Sequence, residues 1–85
     1  MAWAIKWHPK AYQILKKLPK EILHRVFNRL DMVKEEPFRF LEHYEGERVY
    51  KLRIGDYRAL IDVDFQNKFL LIRVFDHRSR IYDRT

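Results

Sequence analysis

The hydrophobic positions run at period two, then at helical spacing, then at period two again. Trp3, Ile5 and Trp7 alternate with Ala4 and Lys6, the pattern of a short strand with one buried face. Pro9 follows at a natural helix start, and Ala11, Ile14, Leu15 and Leu18 then recur at helical spacing. Pro19 ends this helix and opens the next, because proline fits a first turn but not a helix interior. Ile22, Val26, Leu30 and Val33 make the buried stripe of the second helix, widened by Leu23 and Phe27. Most of the charged residues between Lys16 and Glu35 lie outside that stripe. The stretch Phe38–Glu47, entered through Pro37 and left through Gly46, reads as a loop. Its Phe38, Phe40 and Tyr44 read as plugs for the edge of the core, with base stacking as the alternative.

The second half of the chain reads as a three-stranded meander. Arg48–Ile54 places Tyr50, Leu52 and Ile54 on one face, and Val49, Lys51 and Arg53 on the other. Gly55-Asp56 suits a two-residue type II′ turn, since glycine takes the required positive φ without strain. Ile54 then faces Tyr57, and Tyr57, Ala59, Ile61 and Val63 continue the apolar face within Tyr57–Phe65. Gln66-Asn67 is the next turn, and Phe69–Phe75 is apolar on both faces, as a central strand should be. If Phe65 pairs with Lys68, regular alternation sends Leu70, Ile72 and Val74 to the core. Phe69, Leu71, Arg73, Phe75 and His77 then fall on the opposite face, with Arg73 across from Leu60 and Phe75 beside Arg58. The expected architecture is α+β: a short N-terminal strand, a helical hairpin, then an antiparallel meander with the helices on one face.

That register sets Arg53 directly across from Arg58, with Lys51 two residues away, although like charges so placed destabilise a sheet. Two readings account for it: a solvated face whose cations confer solubility, or a face on which a polyanion lies. Composition favours the second. The 85 residues, expected to form a single domain over 1–85, carry 18 Lys+Arg against 12 Asp+Glu, a formal charge of +6. The apolar fraction of 47% argues against disorder. With no long apolar run and no signal-peptide pattern, a cytoplasmic protein without a membrane partner is expected. The absence of cysteine excludes disulfides and thiol catalysis, and the 4 histidines lack metal-ligand spacing, so neither a metal nor a cofactor is expected.

The last predicted strand runs out into His77, Arg78, Arg80 and Tyr82, beside the basic face. Ser79 stands two residues from His77, but no carboxylate is placed to complete a serine triad. Without a metal, such groups suit RNA cleavage, in which the ribose 2′-hydroxyl is the nucleophile. The enzyme then supplies a base, an acid for the departing 5′ oxygen, and cations for the developing charge. Tyr82 is the first candidate for the base and His77 the second. Arg73, Phe75, His77 and Arg80 join Lys51, Arg53 and Arg58 as candidate RNA-binding residues. A basic nucleic-acid-binding face with no turnover is the alternative.

Tyr50-Lys-Leu-Arg-Ile-Gly-Asp-Tyr-Arg58, followed by His77-Arg78 and Ile81-Tyr82, resembles the RelE branch of the RelE/ParE toxin superfamily, as does the order of elements over essentially the whole chain. The resemblance implies a type II toxin: a ribosome-dependent endoribonuclease that cuts messenger RNA in the A site. It also implies an inhibitory RelB-like antitoxin, acidic and helical, that folds on binding, with operator DNA reached only through that partner. The family's two strand lysines fall on Lys51 and Arg53, its further arginines on Arg58 and Arg78, and its C-terminal tyrosine on Tyr82. Arg53 departs from the pattern, since a guanidinium stays protonated and cannot be a general base. The Arg78–Tyr82 spacing is also shorter than in some relatives. A ParE-like gyrase inhibitor, or an inactive partner-binding member, stands as the alternative.

Overall fold

The computed structural model describes residues 2–81. The elements are β1 (Ala4–Trp7), α1 (Pro9–Lys16), α2 (Lys20–Glu35), a single turn α3 (Pro37–Phe40), β2 (Glu42–Glu45), β3 (Val49–Ile54), β4 (Tyr57–Asp64) and β5 (Phe69–His77). The five strands form one sheet in the order β1-β5-β4-β3-β2. Strand β1 pairs parallel with β5, and the other pairings are antiparallel. The architecture is α+β, as the hydrophobic pattern predicts.

Local chemistry explains the joints. His8 caps α1 by accepting the Lys10 N–H on Nδ1 at 3.2 Å, and Pro9 takes the first helical position. The His8 N–H reaches the Ile72 carbonyl at 2.9 Å, so the chain leaves the sheet still tied to β5. Pro19 forces extended backbone between the helices, and α2 begins at the next residue. The helices bury Ala11, Leu15, Val26, Leu30 and Val33 against Leu52, Ile54, Ala59, Ile61, Val63, Leu70, Ile72 and Phe75 of the sheet. Phe27, expected to widen the stripe of α2, is instead 47% exposed.

The segment expected to be a loop holds α3 and the edge strand β2. Strand β2 carries no apolar alternation because it lies at the sheet margin with most of its side chains in solvent. Its pairing with β3 supplies backbone hydrogen bonds, with Glu42 opposite Lys51 and His43 opposite Tyr50. Of the aromatic residues of this region, Phe40 packs on the core, whereas Phe38 makes ring contacts while staying 45% exposed. Phe38 stacks on Phe65 at 5.5 Å and meets the edges of Trp3 and Tyr50 at 5.7 and 5.5 Å. Phe40 packs against the core with the Arg29 guanidinium 5.3 Å above its ring.

The turn between β3 and β4 has two residues, Gly55 at φ +58° and Asp56, with Ile54 facing Tyr57 as expected. The β4–β5 loop is longer, and Asp64 and Phe69 are its closing pair. The Asp64 carboxylate organises that loop by accepting from the Asn67 N–H and side-chain amide at 2.8 and 3.0 Å, which hold its pKa below the ordinary value. Lys68 takes a φ of +53° to re-enter the sheet.

Candidate functional site: a cationic cluster at the β3–β4 turn

The pairing of β3 with β4 sets Arg53 directly opposite Arg58, as the alternation predicts. The two arginines then diverge. Arg53 is exposed, whereas Arg58 is only 9% exposed. The Arg58 Nη1 donates to the carbonyls of Gly55 and Tyr57, each at 2.8 Å. Arg58 therefore braces its own turn, and the bracing fixes where its charge sits. From the other side, the Arg78 N–H donates to the Asp56 carbonyl at 2.8 Å. The Arg78 side chain stays 63% exposed, and its Nε–Asp56 contact of 3.9 Å is long and solvated. Arg53, Arg58 and Arg78 thus converge on one turn, two of them attached to its backbone.

The remaining cations of this face have acidic companions that the alternation alone does not reveal. Lys51 Nζ lies 3.8 Å from Glu42 of β2, and Arg73 Nε lies 3.4 Å from Asp62 of β4. Arg80 reaches Asp76 through Nη2 at 3.2 Å and Nε at 3.3 Å. The face is a mosaic in which Arg53 is exposed at the turn end of the sheet, while Arg78 and Arg80 are also open but reach Asp56 and Asp76.

His77 stands beside this end, its ring edge-on to Tyr57 at 5.5 Å. Its Nδ1 accepts the Ser79 N–H at 3.2 Å and contacts the Ser79 hydroxyl at 2.9 Å. An Nδ1 that accepts an amide proton carries none itself, so in neutral His77 the proton resides on Nε2. That leaves neither ring nitrogen open as an acceptor, which weakens the case for His77 as the base. Tyr82 lies outside the described residues.

Phe75 is a correction. Expected on the basic face beside Arg58, it is 1% exposed in the helix-side core, stacked on Tyr57 at 5.5 Å and edge-on to Trp7 at 5.6 Å. The cause is a register shift between Leu60 and Ile61. Ile61 pairs with Ile72, but Leu60 pairs with Val74, so the extra residue Arg73 inverts the alternation from there on. Phe75 turns inward opposite Ala59, Val74 turns outward, Asp76 arrives opposite Arg58, and His77, also expected on the basic face, takes the face of Tyr57 instead. Asp76 is the buried charge that the alternation misses, because an unbulged strand would have sent it into the apolar core.

With this geometry in place, similarity to known proteins decides the family. A family model described as the ParE toxin of the type II toxin–antitoxin system parDE matches residues 5–82. The chain belongs to this family. It is a toxin of a type II toxin–antitoxin system of the RelE/ParE kind. A search of curated proteins returned no match. Among solved structures, a chain of the toxin–antitoxin complex RelBE2 from Mycobacterium tuberculosis aligns with a TM-score of 0.80 and 27% identity, over 92% of this chain and 100% of that one. A chain of the archaeal RelE–RelB complex from Pyrococcus horikoshii aligns with a TM-score of 0.77 and 28% identity, over 94% and 99%. The isolated Escherichia coli RelE toxin shares the fold, with a TM-score of 0.78 at 19% identity over 98% and 94%. No helix among the described residues is long and apolar enough to cross a membrane.

Proposed function

We propose that this RelE/ParE-family toxin is a cytoplasmic, ribosome-dependent endoribonuclease that cuts messenger RNA without a metal. The observation that carries the reading is the convergence of Arg53, Arg58 and Arg78 on the β3–β4 turn. Like charges directly opposite cost stability, and although Asp76 stands across from Arg58 on the other side, an anion lying over Arg53 and Arg78 offsets the remainder. Fixing Arg78 by its backbone amide leaves its guanidinium to follow charge as it develops on phosphorus. In the reaction the ribose 2′-oxygen attacks phosphorus as a base takes its proton. The bond to the 5′ oxygen breaks, and an acid protonates the leaving oxygen. Lys51 and Arg53 hold phosphate, with Arg73 on the strand beside them, and Arg58 and Arg78 stabilise the phosphorane. Tyr82 is the proposed base.

A RelB-like antitoxin is the proposed partner. Two of the chains that this one resembles come from toxin–antitoxin complexes, RelBE2 and RelE–RelB, and a surface of this charge suits an acidic segment that folds as it binds. A binding-only role, as in a gyrase inhibitor, is favoured by one feature: Arg53 stands where the resemblance places a lysine, and a guanidinium does not exchange protons at neutral pH.

The test compares messenger RNA bound to ribosomes with the same RNA naked. Cleavage should be confined to the bound form, because in-line positioning must come from outside a site this open. Tyr82→Phe should slow single-turnover cleavage of bound RNA by about a hundredfold or more, while ribosome affinity is kept. Equal cutting of naked RNA would refute ribosome dependence, and full activity in Tyr82→Phe would move the base elsewhere.

A further inference from the structure

Asp76 is an expensive residue in this position. It is 1% exposed, and Arg58 and Asp76 are the charged residues buried among those described. Removing a carboxylate from water is tolerated only where charge and hydrogen bonds compensate it. The compensation is specific: one carboxylate oxygen accepts from the His77 N–H at 2.7 Å, from Arg80 Nε at 3.3 Å and from Arg80 Nη2 at 3.2 Å. Directly across the sheet stands Arg58. An anion here also works against the site, since it subtracts charge where a phosphate must be attracted. Its contribution therefore lies in placement rather than in affinity.

What it places is the segment that carries Arg78. After His77 the chain folds back, with the Arg80 N–H donating to the His77 carbonyl at 2.9 Å and the Ser79 N–H to His77 Nδ1 at 3.2 Å. Asp76 grips the two ends of this turn, the His77 amide and the Arg80 side chain. Arg78 lies between them, its own amide on the Asp56 carbonyl at 2.8 Å. The bulge that sends Phe75 inward is what brings Asp76 to this spot.

We propose that Asp76 is the positioning residue of the cationic site, and that Arg80 serves it as a clamp rather than as a phosphate ligand: together they hold the turn that presents Arg78. The catalytic consequence rests on the ribonuclease reading, but the placement does not. Asp76→Asn keeps the shape and one carbonyl acceptor, yet loses the charge and can turn N–H donors toward arginines that need an acceptor. Amide hydrogen exchange in the full chain reads the placement directly. Arg78 exchange should accelerate at least tenfold in Asp76→Asn and in Arg80→Ala, with Ile61 and Ile72 in the core still protected. Arg80 is 64% exposed, so Arg80→Ala carries the test should Asp76→Asn fail to fold. Unchanged Arg78 protection in a folded variant would overturn the proposal. On ribosome-bound RNA, Asp76→Asn should lower kcat at least tenfold with KM unchanged or lower. Retained kcat with a raised KM would contradict a positioning role. A wild-type protein that never cuts would refute the ribonuclease reading alone, because the exchange arm would still decide the placement.

Discussion

Arg78→Ala should slow single-turnover cleavage of ribosome-bound messenger RNA by two to three orders of magnitude, equivalent to about 2.7–4 kcal/mol of transition-state stabilisation for a preorganised donor. The size follows from geometry. The Arg78 backbone is fixed to the Asp56 carbonyl, which sets the reach of its guanidinium, and the 63% exposed side chain is left to tighten its contact as charge develops on phosphorus. Stability should hardly change, since the Asp56 ion pair is long and solvated. Arg53→Ala gives the contrast. An open strand cation touches phosphate before and during reaction, so its loss should weaken binding and reduce the salt slope by about one. If Arg78→Ala raised KM without lowering the cleavage rate, Arg78 would be a binding residue and the division of roles would be wrong.

The second large effect concerns the residue that changed faces. Phe75→Ala should destabilise the domain by about 3–5 kcal/mol, the usual cost of truncating a large buried aromatic. Domains of this kind have about 5–15 kcal/mol in total, so the variant should unfold at a much lower denaturant concentration. The ring is 1% exposed, with Trp7 and Tyr57 against it at 5.6 and 5.5 Å. A residue on the basic face would behave in the opposite way, weakening RNA binding and leaving the urea midpoint nearly unchanged. Equilibrium urea unfolding therefore separates the two placements. A loss below about 1 kcal/mol would contradict the core position.

Phe75 also marks the limit of what alternation can convey. Tyr50, Leu52, Ile54, Tyr57, Ala59, Ile61 and Val63 were legible as one face, because β3 and β4 are regular and a two-residue turn pins their register. The helices were equally legible from Pro9, Pro19 and the spacing of Ala11, Leu15, Val26, Leu30 and Val33. Strand β5 was not. Apolar on both sides, it contains nothing that marks Arg73 as the extra residue, so every later side chain was read on the wrong face. Strand β2 escaped notice for the opposite reason, since its side chains bury little and its support comes from backbone pairing. At the site, the opposed Arg53 and Arg58 followed from register alone. The companions Glu42, Asp62 and Asp76 did not, because each reaches its cation across strands or round a turn.

The most direct measurement of the central claim is end-group analysis of messenger RNA recovered from ribosomes treated with the purified toxin. Attack by the 2′-hydroxyl leaves a 2′,3′-cyclic phosphate, or the 3′-phosphate formed from it by hydrolysis, on one fragment and a 5′-hydroxyl on the other. That pair of ends, lost in Arg78→Ala, is the expected result. Fragments with a 5′-phosphate, or intact messenger RNA under conditions where the toxin arrests gyrase, would contradict it.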